Sequence, residues 1–541
     1  MQIKGIIFDF DGTIVSQEID FKNIFLEIQD LLQSHKLKKP EKNQPILEYL
    51  KQVESINREK CESFLKEAHT LLLEKEKLAS KNAKPIKGVC DFLDRLKNER
   101  ILIGIVTRNS RFVVEEILKE KGISYDFLLA REDVPKVKPH PTHIGTMIKK
   151  MGLKKNQVLV AGDHPMDIIA AKRTGVLSCG VLSGGRTRED FIKVGADFVY
   201  DDITGLKFIL GLEKLPDGKI ENQLLRYLLR KYCVCDGNVI LGPGIGIDAA
   251  VVKTRSKLIA LKTDPITLVS KNIGTYAVII NANDIVCSGS IPGWLITGII
   301  FPQGTRFPLI EEVFRDISRT CRKLKISWVG GHTEISDSVS QVIVSGFLAG
   351  EKMKNIKQIE SIKDGDALVL VKQVGIEGAS ILARERKELS EKFPEVVKRA
   401  MKATETPGIS VVKEAMLAWK TVPVIRMHDP TEGGIASGIT ELAENMGCGF
   451  VIEEQKISFY EPAKIFSQHL GIDIYRLISS GCLLVVVPVK YAKKLVSAYR
   501  KHRIPASVIG HTTKDRRILL KRDNVSIDLK SSSTDEILKV S

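Results

Sequence analysis

The feature that most constrains the fold is a regular alternation, in the first part of the chain, of short apolar runs with longer segments of helical spacing. Apolar runs separated by about the length of a helix are typical of parallel strands joined by crossover helices. The sequence therefore predicts an α/β domain with a parallel sheet, whose candidate strands are Ile3–Phe8, Ile101–Val106, Gln157–Ala161, Leu177–Leu182 and Ala196–Tyr200.

Two interruptions divide the chain. Residues 16–87, between the first two candidate strands, are rich in Lys, Glu and Leu and contain no glycine, which predicts a small helical cap. The Pro- and Gly-containing stretch Leu215–Gly218 ends the alternation, so we predict a first domain over residues 1–212. Beyond it, glycine-rich turns between β-branched runs occur in two successive stretches. We predict two α+β domains there, over residues 222–355 and 360–515.

The composition is that of a globular protein. Of 541 residues, 43% are hydrophobic and 27% charged, which excludes a disordered chain and a coiled coil. No apolar run reaches the roughly 18 residues of a membrane-spanning helix, and the first residues lack the pattern of a signal peptide. The nine cysteines are scattered and suggest neither a disulfide framework nor a zinc site. We therefore expect a cytoplasmic protein.

The net charge of +16, from 82 basic and 66 acidic residues, raises the question of a nucleic-acid partner. The excess is dispersed and interrupted by acids, as in Arg384–Glu388. We interpret it as solvated helix faces, which would also attract phosphorylated substrates, and we expect neither a membrane nor a nucleic-acid partner. A nucleic-acid-binding protein is kept as a third, weaker alternative.

Two carboxylates follow the first candidate strand, in the motif Asp9–Thr13. Residues two apart in an extended strand face the same side, so Asp9 and Asp11 project together from the edge where parallel sheets bind ligands. One carboxylate could attack phosphorus while the other moves the proton of the leaving group. Alone, the motif could equally be a turn.

Further polar groups follow in order along the same domain. Thr107 comes directly after the second candidate strand, and Lys138 lies in the proline-stiffened stretch Val137–Pro141. Asp163 and Asp167 follow the third candidate strand; we predict that they share one face of a starting helix as half of a Mg²⁺ site. Each group alone could be a polar strand end, a surface lysine or a helix cap, but the ordered set indicates phosphoryl transfer.

On these motifs, residues 1–212 resemble the haloacid dehalogenase (HAD) superfamily, specifically the phosphoglycolate-phosphatase-like hydrolases, which have a Rossmann-like domain and a helical cap. The resemblance implies a Mg²⁺-dependent phosphatase that acts on a phosphorylated small molecule. In it Asp9 would be the nucleophile and Asp11 the general acid and base. The remaining implied contacts are Thr107 and Lys138 to the phosphoryl group, and Asp9, Asp11 (through its backbone carbonyl), Asp163 and Asp167 to Mg²⁺.

The second half of the chain carries short motifs rich in glycine and aspartate. They are Gly242–Ala250, Lys262–Pro265, Ala282–Ile285, Gly330–Glu334 and Met427–Gly434. Glycine permits close backbone approach to phosphates, and loop aspartates are the oxygen ligands that Mg²⁺–nucleotide needs. Each motif could also be an ordinary turn, and the single histidines His332 and His428 are more often structural.

The ordered set, over about residues 222–515, resembles the PurM-like family of ATP-dependent enzymes, which includes AIR synthetase, and looks most like the hydrogenase maturation factor HypE. The resemblance implies a two-part α+β unit, ATP and Mg²⁺ as cofactors, and a homodimer. The implied Mg²⁺–ATP ligands are Asp248, Asp264, Asp284 and Asp429, and the implied nucleotide contacts are Gly244, Gly246, Asn283, Gly330 and Gly331.

Two departures from the family pattern concern the second half. Ile247 precedes Asp248 where the family commonly has another acid, and the sequence Asp535–Ser541 lacks the reactive cysteine of HypE. We therefore expect a HypE-like domain with a different reaction. Our interpretation is a bifunctional protein, a HAD phosphatase of a small phosphorylated metabolite joined to an ATP-dependent activity. The alternative joins the phosphatase to a non-catalytic, nucleotide-binding maturation or scaffold domain.

Overall fold

The structure, a computed structural model, describes residues 3–17, 19–40, 45–216, 218–244, 250–267, 269, 271–354, 356–359, 361–523, 525–529 and 535–539. It divides into two units. The first comprises Met1–Leu215, Glu221–Tyr227 and Arg306–Pro308, and the second comprises Pro216–Ile220, Leu228–Thr305 and Leu309–Ser541. Among the described residues, no helix has both the length and the apolar character needed to cross a membrane.

The first unit is an α/β domain built on a sheet of six parallel strands. The strands of the unit are β1 (Gly5–Phe8), β2 (Val15–Ser16), β3 (Lys84–Pro85), β4 (Leu102–Val106), β5 (Phe127–Leu129), β6 (Val158–Gly162), β7 (Leu177–Val181) and β8 (Phe198–Tyr200). The helices are α1 (Phe21–Ser34), α2 (Ile46–Asn57), α3 (Glu62–Ser80), α4 (Val89–Asn98), α5 (Arg111–Glu120), α6 (Pro141–Lys150), α7 (Pro165–Thr174), α8 (Arg188–Lys193) and α9 (Leu206–Ile209).

The sheet order is β5-β4-β1-β6-β7-β8, with β1 in the middle between β4 and β6. Its central strands are buried along their whole length, as expected for a parallel sheet covered on both faces. The polar residues that follow β1, β4 and β6 therefore meet at one edge. The fold class predicted for this domain is confirmed. The short strand β5 has no counterpart among the predicted strands, because three apolar residues give too short a pattern.

The predicted helical cap is formed by α1, α2 and α3. It leaves the sheet domain after β2 and returns to it at β3, and these two short strands pair with each other. The three helices bury their own apolar core, which includes Ile28, Tyr49, Phe64 and Leu72. Because of this core, the cap can fold without contributing a strand to the main sheet.

The second unit contains two mixed α+β sheets. Its strands are β9 (Gly218–Lys219), β10 (Val239–Leu241), β11 (Val251–Val252), β12 (Ile259–Ile266), β13 (Ser290–Pro302), β14 (Ser327–Ser336), β15 (Ile343–Lys352), β16 (Ala367–Val371), β17 (Arg426–His428), β18 (Gly449–Glu453), β19 (Leu483–Val487), β20 (Ala506–Thr513), β21 (Ile518–Arg522) and β22 (Val525–Asp528). The helices that lie in it wholly or in part are α10 (Asn222–Tyr232), α11 (Ile273–Cys287), α12 (Phe307–Leu324), α13 (Ile376–Glu385), α14 (Lys387–Lys392), α15 (Pro394–Met401), α16 (Val412–Thr421), α17 (Gly434–Met446), α18 (Glu461–Leu470) and α19 (Val489–Lys501).

One sheet has the order β12-β15-β13-β14-β9, the other β17-β19-β16-β20-β18-β21-β22, and β10 pairs with β11. The second sheet encloses a core that includes Phe450, Ile452, Leu484 and Ile509. The predicted two-part α+β unit is confirmed. Residues Leu228–Thr305 and Leu309–Ser541 belong to one compact unit. The predicted domain ranges 1–212, 222–355 and 360–515 therefore stay predictions.

Candidate functional site

The carboxylate of Asp9 stands directly after β1. The Asp9 backbone N–H donates to the carbonyl of Ala161 on β6 at 2.9 Å, which holds the strand end in place. The Asp9 Oδ1 atom accepts the N–H of Phe10 at 2.7 Å and lies 2.6 Å from the ammonium of Lys138. Asp9 therefore lies at the edge of the sheet with its charge matched by a buried cation.

Asp163 and Asp167 join Asp9 at this edge. The three residues each offer an oxygen within 4.8 Å of the others. Asp167 is the third residue of α7, and its Oδ2 accepts the N–H of His164, the residue that caps the helix, at 3.1 Å. Asp163 precedes α7, so the expectation that the two acids share a helix face is wrong. They meet because the turn between β6 and α7 folds back toward the strand.

Two glycines leave room for these carboxylates. Gly12 has a φ of +71°, and a Cβ there would clash with the Asp163 carboxylate. A Cβ on Gly162 would clash with the carboxylate of Asp167. A side chain at either position would displace an acid, because these contacts leave no space.

The electrostatics of this cluster favour a bound cation. Burial, followed by repulsion from Asp9 and Asp167, raises the pKa of Asp163 to about 8. Burial and Asp9 likewise raise the pKa of Asp167 to about 6, although Lys138 opposes the change. Burial would lower the pKa of Lys138, but Asp167, 2.6 Å away, and Asp9 raise it above its usual value. One ammonium faces three carboxylates, and such clustered hard oxygen donors fit Mg²⁺.

Asp11 is held separately from this cluster. Its Oδ2 accepts the side-chain N–H of Asn109 at 2.7 Å, and its Oδ1 accepts the side-chain N–H of Gln17. Burial, with repulsion from Asp9 and Glu76, raises the pKa of Asp11 well above its usual value. A carboxyl group whose pKa is raised in this way is suited to act as a general acid.

Thr107 and Lys138 lie where the sequence places them, at the same edge. Thr107 follows β4 and is fully buried, and its hydroxyl oxygen accepts the N–H of Asn109 at 3.0 Å. Because a hydroxyl group both accepts and donates, Thr107 can accept this bond and still donate its proton to a ligand. The contacts of both residues with a phosphoryl group stay predictions.

Two acids of the cap reach the loop that follows β4, and the sequence motifs do not include them. Glu48 of α2 pairs with Arg108, whose guanidinium also donates to the carbonyl of Lys138. Glu76 of α3 pairs with Arg131 and accepts the N–H of Ser110 at 3.3 Å. These ion pairs and hydrogen bonds therefore hold the cap against the loops that contain Thr107, Asn109 and Lys138. Glu76 is 1% exposed, but its sequence neighbours give it the pattern of a surface helix.

In the second unit, Asp264 and Asp284 also converge, but on different elements from those expected. Asp264 lies within β12 and Asp284 within α11, so the expectation of two loop aspartates is wrong. The ammonium of Lys262 lies 3.2 Å from each carboxylate. Burial raises the pKa of Asp284, and Lys262 opposes the change. Lys262 was in a motif of the sequence but not among the predicted site residues.

Asp429 lies near Asp284 in the turn after β17 and is 1% exposed. Burial and the charge of Asp284 raise its pKa to about 8. The thiol of Cys287, one helical turn after Asp284 on α11, donates to Asp429 Oδ1 at 3.5 Å. His428 pairs with Glu441 at 2.6 Å. Asp284 therefore lies close to both Asp264 and Asp429, so three of the four predicted ligands of Mg²⁺–ATP are in one region of the second unit.

The other predicted nucleotide contacts differ in their placement. Asp248 and Gly246 lie outside the described residues. Gly330 and Gly331 pair with β13 inside strand β14, so the expectation of a glycine-rich loop at this motif is wrong. The amide of Asn283 donates to the carbonyl of Ile409 at 3.1 Å and accepts the N–H of Val411 at 2.9 Å. Gly244 lies in a segment without regular structure.

Family models match three parts of the chain. Residues 6–181 match the haloacid dehalogenase-like hydrolases, residues 246–351 the N-terminal domain of AIR synthase related proteins, and residues 363–522 their C-terminal domain. The chain thus joins a HAD hydrolase domain to AIR synthase-related N- and C-terminal domains. The predicted resemblance is confirmed.

Relatives of each part are found separately. A protein of Methanocaldococcus jannaschii named for hydrogenase expression or formation is 26% identical over 314 residues, 56% of this chain and 90% of its own. Carbamoyl dehydratase HypE of Escherichia coli is 26% identical over 264 residues, 48% of this chain and 75% of its own. Pyrophosphatase PpaX of Oceanobacillus iheyensis is 24% identical over 217 residues, 39% of this chain and 98% of its own.

A crystal structure of E. coli HypE, a hydrogenase maturation protein, has the same fold as the AIR synthase-related part. The TM-score is 0.51 at 21% identity, and the match covers 59% of this chain and 100% of that one.

The pair of Glu76 and Arg131 should stabilise the hydrolase domain strongly. Their side chains are only 2% and 10% exposed, so Glu76→Gln removes the buried counter-charge of Arg131 and leaves it only Glu132, which is 48% exposed and 3.4 Å away. We expect the free energy of unfolding from urea denaturation to fall by about 3 kcal/mol. Glu115→Gln is the matched control, because its pair with Arg111 is 47% and 34% exposed and should contribute no more than about 0.5 kcal/mol. Equal losses for the two variants would contradict the expectation.

Mg²⁺ binding to the hydrolase domain should release protons. Asp163, with a pKa of about 8, is largely protonated at pH 7, whereas a metal ligand must be ionised. The apparent affinity should therefore rise by up to about tenfold per pH unit between pH 6 and pH 8. Calorimetry in buffers of different ionisation enthalpy counts the released protons, and Asp163→Asn is the control. An affinity that is flat over this range would refute the expectation.

Proposed function

We propose that the chain is a bifunctional phosphoryl-transfer protein. Its first activity is that of a Mg²⁺-dependent phosphatase, a phosphoric monoester hydrolase, acting on a small phosphorylated metabolite. Its second is an ATP-dependent activity of the AIR-synthetase and HypE type. The observation that supports the first is the meeting of Asp9, Asp163 and Asp167 around the ammonium of Lys138.

In the proposed reaction the carboxylate of Asp9 attacks the phosphorus atom and forms an aspartyl-phosphate. Asp11, whose pKa is raised by burial, donates a proton to the leaving alcohol oxygen and then accepts one from the attacking water. Thr107 and Lys138 bind the phosphoryl oxygens. Mg²⁺, when bound by Asp9, Asp163, Asp167 and the Asp11 carbonyl, supplies positive charge to the transferring group.

For the second activity, Mg²⁺–ATP would bind at the cluster of Asp264, Asp284 and Asp429. Burial, with a smaller contribution from the neighbouring acids, raises the pKa values of Asp284 and Asp429, and a bound divalent cation would favour their ionised forms. The name carbamoyl dehydratase belongs to the E. coli relative, and we do not extend that reaction to this chain.

One observation favours the alternative of a non-catalytic, nucleotide-binding scaffold for the second half. Lys262 already bridges Asp264 and Asp284, at 3.2 Å from each, and so partly replaces the charge of a cation. A domain that only binds a nucleotide would tolerate competition between Lys262 and the cation more readily than a domain that must catalyse a reaction.

We also propose that the chain forms a homodimer and acts in the cytoplasm. One face of the first sheet of the second unit exposes Leu261 of β12 (64%), Phe347 of β15 (39%) and Ile296 of β13 (37%), and such a patch suits association with a second copy. All nine cysteines are free thiols, which supports a reducing compartment. Sedimentation of the full chain measures the oligomeric state.

The nucleophile assignment has a direct test. Asp9→Asn should lower Mg²⁺-dependent hydrolysis of an aryl phosphate by a factor of about 10³ or more, because an amide cannot attack phosphorus. Asp91→Asn, an exposed residue of α4, is the control and should retain full turnover. Undiminished turnover in pure Asp9→Asn protein would mean that another residue is the nucleophile.

Binding of ATP has a separate test. Asp284→Asn should weaken Mg²⁺–ATP binding by about 1–3 kcal/mol in calorimetry, because a charge-assisted contact is lost. The melting temperature of the apo protein should change little, since the pair with Lys262 is partly exposed. Asp337→Asn, at an exposed position, should match the wild type. Failure of the wild type to bind Mg²⁺–ATP would exclude both the enzyme and the nucleotide-binding scaffold.

A further inference from the structure

We propose that the phosphatase site takes the phosphate monoester of a large alcohol with an apolar face, rather than a two-carbon phosphoester or pyrophosphate. The proposal rests on the proposed phosphatase function and names its substrate class. It is based on a single cleft of the first unit, between the cap helices α1 and α3 and the acids of the sheet edge.

The cleft reaches two of the proposed reacting acids and is far larger than a phosphate. Its floor includes Asp11, Gly12 and Asp163, and its volume is about 930 Å³. Cavities of about 300–1,000 Å³ are those that enclose drug-sized ligands. A phosphoryl group bound beside Asp9 would leave most of this volume for the alcohol, and a two-carbon alcohol would leave it filled with water.

The cap side of the cleft presents apolar side chains among polar ones such as Asn23 and Lys75. Phe21 and Ile24 are one turn apart on α1, so both face the cleft, and Leu78 of α3 faces it as well. Phe21 is 51% exposed and Leu78 is 63% exposed. Single exposed apolar residues are common on protein surfaces, but these line the same cleft as the catalytic acids. An apolar ring or chain of the alcohol would cover them and remove them from water.

The floor of the cleft is polar. Gln17 lines it beside Asp11, and its amide nitrogen donates to that carboxyl group. Asp163 lines the floor as well. The predicted alcohol is therefore apolar toward the cap and polar toward the floor.

The test compares three probes on the full chain with Mg²⁺: 1-naphthyl phosphate, 2-phosphoglycolate and pyrophosphate. We expect kcat/KM for 1-naphthyl phosphate to exceed kcat/KM for each of the other two probes at least about tenfold. Only the naphthyl ring can cover the apolar side chains of Phe21, Ile24 and Leu78 and remove them from water. Phe21→Ala and Leu78→Ala should each lower the ratio of naphthyl to pyrophosphate kcat/KM about fivefold to tenfold. Leu26→Ala is the matched control, because Leu26 is also on α1 and 51% exposed but does not line the cleft.

Two outcomes overturn the proposal: a wild-type preference for 2-phosphoglycolate or pyrophosphate, or a ratio that the cleft variants change no more than Leu26→Ala does. If no probe releases phosphate, the phosphatase function fails, and binding then decides the substrate class. In that case the naphthyl fluorescence reports the Kd of 1-naphthyl phosphate. Weaker binding by Phe21→Ala than by Leu26→Ala supports the proposal, and equal binding overturns it.

Discussion

The ammonium of Lys138 between Asp9 and Asp167 is the interaction on which the first unit's site depends. Both distances are 2.6 Å, and the lysine side chain is 3% exposed. Three chain segments meet there: the end of β1, the first turn of α7 and the stretch before α6. Without this cation the carboxylates would repel each other in a desolvated place, and removing one partner of such a buried pair is costly. The lysine thus allows Asp9, Asp163 and Asp167 to stay close to one another.

The sequence predicted this convergence because it follows from a local rule. In a parallel sheet every strand ends at the same edge, so residues after β1, β4 and β6 must be neighbours even when they are far apart in the chain. Asp9, Thr107 and Asp163 could be found from strand ends alone. Asp167 could be found because it is four residues from Asp163, although the geometry differs from the shared helix face that this spacing suggests.

The contacts of the cap could not be predicted in the same way. Glu48 and Glu76 lie in Lys- and Glu-rich helices, where a single acid that turns inward has no distinguishing neighbours. Their partners Arg108 and Arg131 are 60 and 55 residues away in the chain. Such pairs depend on how the cap lies on the sheet domain, which is decided by contacts between residues far apart in the chain. A pattern of three or four residues carries none of that information.

The second unit reaches a related arrangement by a different route, since Lys262 also lies between two carboxylates. Asp264 is two residues from Lys262 on β12, so both face the same side of the strand, and α11 brings Asp284 to them. However, Lys262 is 34% exposed, whereas Lys138 is 3% exposed. Water can solvate the ammonium of Lys262 when it leaves the acids, so its separation costs far less than that of Lys138. Lys138 is therefore a fixed part of its site, whereas Lys262 is a counter-ion that can leave its two acids at little cost.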